Sequence, residues 1–173
     1  MQKLKNKTMT ITTAIFLMLI MTTSFLLLPN ANAATPPRQI PTYAYLSVAP
    51  NPIGVGQRLF VVMWLDAVLP GAAVENTIRV IGFNLTITKP DGSTEIKDYP
   101  IVSDTTSSQP FLYYPTVAGN YTFKFTYPGQ VYTWNAVNTP GLSTANAAYE
   151  NDTYFASSSK LVSVTVQDEP VYS

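Results

Sequence analysis

The sequence predicts an all-β protein, an antiparallel sandwich of about seven strands preceded by a signal peptide helix. Two observations predict the strands. Apolar and polar residues alternate with period two through most of 42–127 and again at the C-terminal end. Proline and glycine interrupt that alternation at close intervals, and nothing after residue 33 keeps a helical period. A third observation predicts the leader: a basic start, an apolar run and a small-residue site follow one another in the order of a secretory signal.

Taken in chain order, Lys3, Lys5 and Lys7 form the basic start. The run from Ile11 to Leu28 is broken only by threonines and one serine, and Ala31-Asn32-Ala33 follows Pro29-Asn30. Residues 1–33 therefore read as a signal peptide cleaved between Ala33 and Ala34. The competing reading is a retained membrane anchor, since the run is near the lower length for a spanning helix. Residues 34–41, with three prolines in eight residues, read as an extended linker. The expected domain is 42–168, and 169–173 reads as a C-terminal linker or truncated tail.

In "TYAYLSV", Ala44, Leu46 and Val48 share one face and Tyr43, Tyr45 and Ser47 the other. "PNPIGVGQ" is a break between strands, because its prolines lack ladder donors and its glycines permit turns. Leu59 to Leu65 is apolar on both faces, so a strand there is covered on both sides or sits at an interface. Val80 to Thr88 alternates Phe83, Leu85 and Ile87 against Asn84, Thr86 and Thr88. "KPDGST" is a turn that returns the chain through "TEIKDY". A polar loop, 103–109, leads to "PFLYYP". In "GNYTFKFTYPGQ" the aromatics Tyr121, Phe123, Phe125 and Tyr127 recur at every second position, as a core stripe or an exposed binding stripe. A strand late in a sandwich must bury one face, which favours the core. The last strand, "KLVSVTVQ", sets Val162, Val164 and Val166 against Ser163 and Thr165.

Composition excludes whole classes of chemistry. The chain has no cysteine and no histidine, so thiol nucleophiles, Ser-His-Asp triads and His-based zinc sites cannot be built. Beyond residue 33 there are seven basic and ten acidic residues, a net charge of −3 with no basic patch, which excludes nucleic acid as a partner. Glu150, Asn151 and Asp152, or Asp91 and Glu95, offer hard oxygens, but neither stretch has the alternating ligands of a calcium loop. No cofactor is expected and no two carboxylates are spaced to flank a substrate, so the chain reads as non-enzymatic.

The turns carry a resemblance. "YPTVAGNYTFKFTYPG" resembles the turn and penultimate strand of immunoglobulin-like extracellular modules, where Pro115, Thr116, Gly119 and Tyr121 stand at the places of a tyrosine corner. With "LSVAPNPIGVGQ", "TKPDGS" and "VTVQDEP", the stretch 42–170 is similar to the N-terminal immunoglobulin-like module of archaeal secreted proteins that often carry a PQQ-binding-like β-propeller. The resemblance implies an immunoglobulin-like sandwich at the cell surface or secreted, with a downstream domain as one partner.

The segment 128–159 is far longer than a usual strand connection and holds Tyr132, Trp134, Tyr149, Tyr154 and Phe155. It reads either as a flap covering Phe60, Val62 and Trp64, as an aromatic platform for sugar or protein through Tyr132, Trp134, Tyr149 and Tyr154, or as disorder. Asn84, Asn120 and Asn151 head N-glycosylation sequons and are all expected on the outside. The resulting expectation is an extracellular spacer, adhesion or assembly module. Its partner is a protein or a downstream domain, or else a glycan bound by the loop aromatics, and it meets the membrane only if the leader stays uncleaved. N-terminal sequencing of exported protein should begin at Ala34; a retained Met1 would make the leader an anchor instead.

Overall fold

The computed structural model describes residues 36–142 and 148–172. The expected signal peptide and the first two linker residues lie outside the described residues. In chain order the strands are β1 (Gln39–Ile40), β2 (Ala44–Ala49), β3 (Ile53–Gly54), β4 (Leu59–Leu65), β5 (Ile81–Thr88) and β6 (Thr94–Ile101). They continue with β7 (Ser108–Tyr113), β8 (Gly119–Tyr127), β9 (Gln130–Val131), β10 (Thr153–Tyr154), β11 (Ser157–Ser158) and β12 (Val162–Gln167). The protein is all-β and sandwich-like.

One sheet has the order β2-β4-β7, and the other β3-β12-β8-β5-β6, with β11 also on β8. All pairings in these sheets are antiparallel except β3 with β12, which is parallel. A small third sheet, β1-β10-β9, is made by the two segments expected to be linker and loop.

The register follows from the side-chain alternation. On β4, Leu59, Val61, Met63 and Leu65 point inward and are buried. They meet Phe83, Leu85 and Ile87 of β5 and the β8 row in one hydrophobic cluster. The β8 stripe is therefore core: Tyr121, Phe123, Phe125 and Tyr127 are all buried. Tyr113 of β7 crosses to this row, edge-on to Phe123 at 5.8 Å between ring centroids and to Tyr121 at 6.0 Å. Each such ring is worth about 2 kcal/mol in removed apolar surface. On β12, Val164 and Val166 are buried and Val162 packs at the margin of the cluster.

Local chemistry holds the register at three places. The Tyr121 hydroxyl donates to the Val117 carbonyl at 3.1 Å, the bond that defines a tyrosine corner. Gly119, at φ 135°, lies so close to the β5–β6 turn that a Cβ there would stand 2.6 Å from Pro90. Between β11 and β12 the Phe125 N–H donates to the Ser159 hydroxyl (3.0 Å) while Ser159 N–H returns a bond to Phe125 O (2.9 Å), so β8 keeps its partner across the gap.

The structure differs from the sequence reading at the ends. "PNPIGVGQ" contains β3, and Asn51 before it binds β12 by its side chain: Nδ2 donates to Ser163 O (3.1 Å) and Oδ1 accepts from Thr165 N–H (3.0 Å). The Pro-rich segment is not a free linker at its end, because β1 runs parallel to β10. The start of the C-terminal tail is also held. Gln57 accepts from Val171 N–H (2.9 Å) and Gly54 N–H (2.8 Å) and donates to Val171 O (3.0 Å). Periodicity cannot reveal these attachments, since each consists of one side chain or two residues.

Phe123→Ala should destabilise the protein by about 3–5 kcal/mol, whereas Lys124→Ala on the opposite face should cost no more than about 0.5 kcal/mol. Urea unfolding of both variants checks the assignment of the two faces.

Candidate functional site

Two places concentrate side chains that sequence reasoning singled out: the 128–159 segment and the outer face of β2-β4-β7. The described residues of the first are folded rather than loose. β9 pairs antiparallel with β10, and β1 joins β10 on its other side. Tyr132 follows β9 inward; it is fully buried and its hydroxyl donates to Pro70 O at 2.8 Å. Trp134 and Tyr149 pack edge-on against Tyr132 at 5.3 Å and 6.1 Å, both only partly buried. Tyr154 is buried, and that burial pushes its hydroxyl up to about 12, so it stays neutral. These four rings form a packed knot, not a flat exposed row.

An ion pair closes the knot. The Asp152 carboxylate has no exposed surface. Its Oδ1 accepts from Arg38 N–H (2.7 Å), and its Oδ2 accepts from Arg38 Nε (3.0 Å) and from Arg38 Nη2. The same guanidinium lies 5.0 Å over the Tyr149 ring. Burial alone would raise the Asp152 carboxyl, but the bonds from Arg38 outweigh it and hold it below the ordinary aspartate range. Sequence reasoning missed this pair: its members are 114 residues apart, and Arg38 sat in what read as linker.

The expected flap over Phe60, Val62 and Trp64 is not there among the described residues. The segment instead covers the margin of the core near Pro70 and Ile81, where Gln130 Oε1 accepts from Ile81 N–H at 2.9 Å. Its C-terminal part is held by β1 and β8 and its start pairs back onto β10, which keeps the described residues away from the outer face of β4. Phe60 consequently remains 50% exposed. Trp64 takes its cover from Tyr45, stacked at 5.4 Å with 14° between ring planes.

Asn120 and Asn151 are exposed, as expected. Asn84 is not: it is half-buried on the inner strand β5, and its amide nitrogen donates to Asp98. β5 has neighbours on both sides, which the alternation of Asn84 with Phe83 and Leu85 does not reveal. The carboxylates are individually engaged. Asp91 accepts from Ser93 N–H (2.9 Å) and its hydroxyl (2.7 Å), Glu95 pairs with Lys97 (2.7 Å), and Glu150 accepts from Asn135 (2.9 Å). No cluster of three or more acids suited to a metal occurs among the described residues. A groove of about 450 Å³ separates β2 from β11 and β12, walled by Tyr43, Tyr45, Ser158 and Lys160.

No protein-family model, curated protein or solved structure matches the chain.

Because the folded-state Asp152 carboxyl titrates below its unfolded value, its contribution is fully present above about pH 4 and is lost as pH falls through the lowered value. Asp152→Asn should cost about 1–2 kcal/mol near neutral pH, a modest figure because the guanidinium is half exposed and can return to water. The difference between wild type and variant in urea unfolding should shrink as pH falls below about 4.

Proposed function

We propose that this chain is a non-enzymatic extracellular module of immunoglobulin-like build, an assembly or adhesion element that docks through the outer face of β2-β4-β7. The observation that carries this reading is the contrast between the two outer faces. The β5-β8-β12 side presents Thr86, Lys124, Thr126, Ser163 and Thr165, with Ile96 of β6 beside Thr86, a mostly polar surface of a sheet that faces water. The β2-β4-β7 side presents Tyr45, Phe60, Val62, Trp64 and Leu112, an apolar patch that a soluble domain keeps for contact.

The strand order supports the immunoglobulin-like reading. Reading β4 and β7 as the B and E strands of such sandwiches, and β5, β8 and β12 as C, F and G, reproduces their order in the two sheets. The Tyr121 corner adds to it. The leader supports export, and export would make Asn120 and Asn151 glycosylation sites. The partner is then a protein or a further domain.

The carbohydrate reading rests on Trp134 and Tyr149, which keep part of their surfaces. A glycan array probed with the exported chain separates the two readings. The expected result is no binding that Trp134→Ala or Tyr149→Ala removes; sugar binding lost in both variants would replace docking by carbohydrate recognition.

A further inference from the structure

We infer that the outer face of β2-β4-β7 pairs with the same face of a second copy of this chain, about a two-fold axis passing through Val62. This rests on the docking reading above and names its occupant. Alternate residues along and beside β4 read Arg58, Phe60, Val62, Trp64, Asp66. Arg58 and Asp66 are both exposed, and the residues between them carry no charge. The row is palindromic in chemistry: a cation and an anion at its two ends, an aromatic ring inside each, and a small apolar residue at the centre.

A closed pair of identical subunits has an isologous interface, in which residue i of one copy meets residue j of the other and j meets i. A two-fold axis at Val62 runs the two β4 strands antiparallel. It sets Phe60 against the other copy's Trp64 and Arg58 against the other copy's Asp66, each contact occurring twice. Face-to-face sheets pack about 10 Å apart with strands within about 30° of alignment, so side chains at both ends of the row stay in reach. A second copy supplies both end charges from residues already on the face.

The size of the face sets the strength. A nine-residue row is about 27 Å long and three strands with their side chains about 15 Å wide, roughly 400 Å² of plane per copy. The two copies together give roughly 800 Å², below the about 1,200–2,000 Å² of stable complexes, so the pair is weak and forms where the protein is concentrated. Tyr45, stacked on Trp64, and Leu112, opposite Phe60, flank the row with further apolar surface.

Sedimentation equilibrium of the exported chain, with thermal melts to confirm folding, tests the inference. Dimers should appear between about 10 μM and about 1 mM, and Phe60→Ser or Trp64→Ser should each weaken association about tenfold or more. Arg58→Asp and Asp66→Arg should each be monomeric alone, because like charges then meet at both ends. Mixed in equal amounts they should form a heterodimer in which both ends attract. A dimer untouched by Phe60→Ser, or two charge variants that do not pair on mixing, would overturn the two-fold assignment. A monomeric chain that adheres to a protein or polysaccharide surface through Trp64 would sink self-pairing and leave the docking reading standing. A monomer with no Trp64-dependent binding would sink both.

Discussion

Everything in this molecule leans on one row of side chains. With no cysteine in the chain, no covalent cross-link ties the sheets together, and apolar burial must do so. The row Tyr121-Phe123-Phe125-Tyr127 runs along β8, which pairs with β5 on one side and with β12 and β11 on the other. Its rings meet the inward face of the opposite sheet through Tyr113 and their own sheet through Phe83, which contacts Phe125 at 4.5 Å. Because side chains alternate with period two, a one-residue slip of β8 would turn this whole row to solvent. The tyrosine corner and the close contact of Gly119 with Pro90 sit at the start of β8, where such a slip would begin.

What was legible in the sequence was what repeats. β2, β5, β8 and β12 announce themselves by alternation, β4 by an unbroken apolar run, and β6 with the β5–β6 turn by Pro90 and Gly92, the latter at φ 83°. The surplus of apolar residues on β4 pointed correctly to a second face in need of an explanation. What covers that face did not follow, because length and aromatic content made the 128–159 segment look suitable whatever its attachments. Those attachments are β1, β9, β10 and the Arg38–Asp152 pair, single bonds between distant residues that leave no periodic trace. The aromatics Tyr132 and Tyr154 were noticed for the right reason, being out of place in a polar loop, yet their position is interior.

The segment's anchoring also bears on how the protein is organised in the chain direction. Arg38 near one end and Asp152 near the other meet in one ion pair, and the Gln57 amide grips the Val171 backbone through a donor and an acceptor. Both stretches that composition alone would assign to flexible connections are thus partly stitched to the sheets. Any neighbouring module joined through them would inherit a restricted range of orientations rather than swing on a free tether.

Asn51 has a consequence for growth. Its amide presents one donor and one acceptor to the backbone of β12, matching Ser163 O and Thr165 N–H as a neighbouring strand would. A strand edge left open is a template on which further chains can zip up indefinitely. Here the template is occupied for two residues before β3 takes over, and no hydrogen-bond register remains for an incoming strand on that stretch. One short amide therefore caps this stretch of the β12 edge, and contacts at this margin are left to side chains.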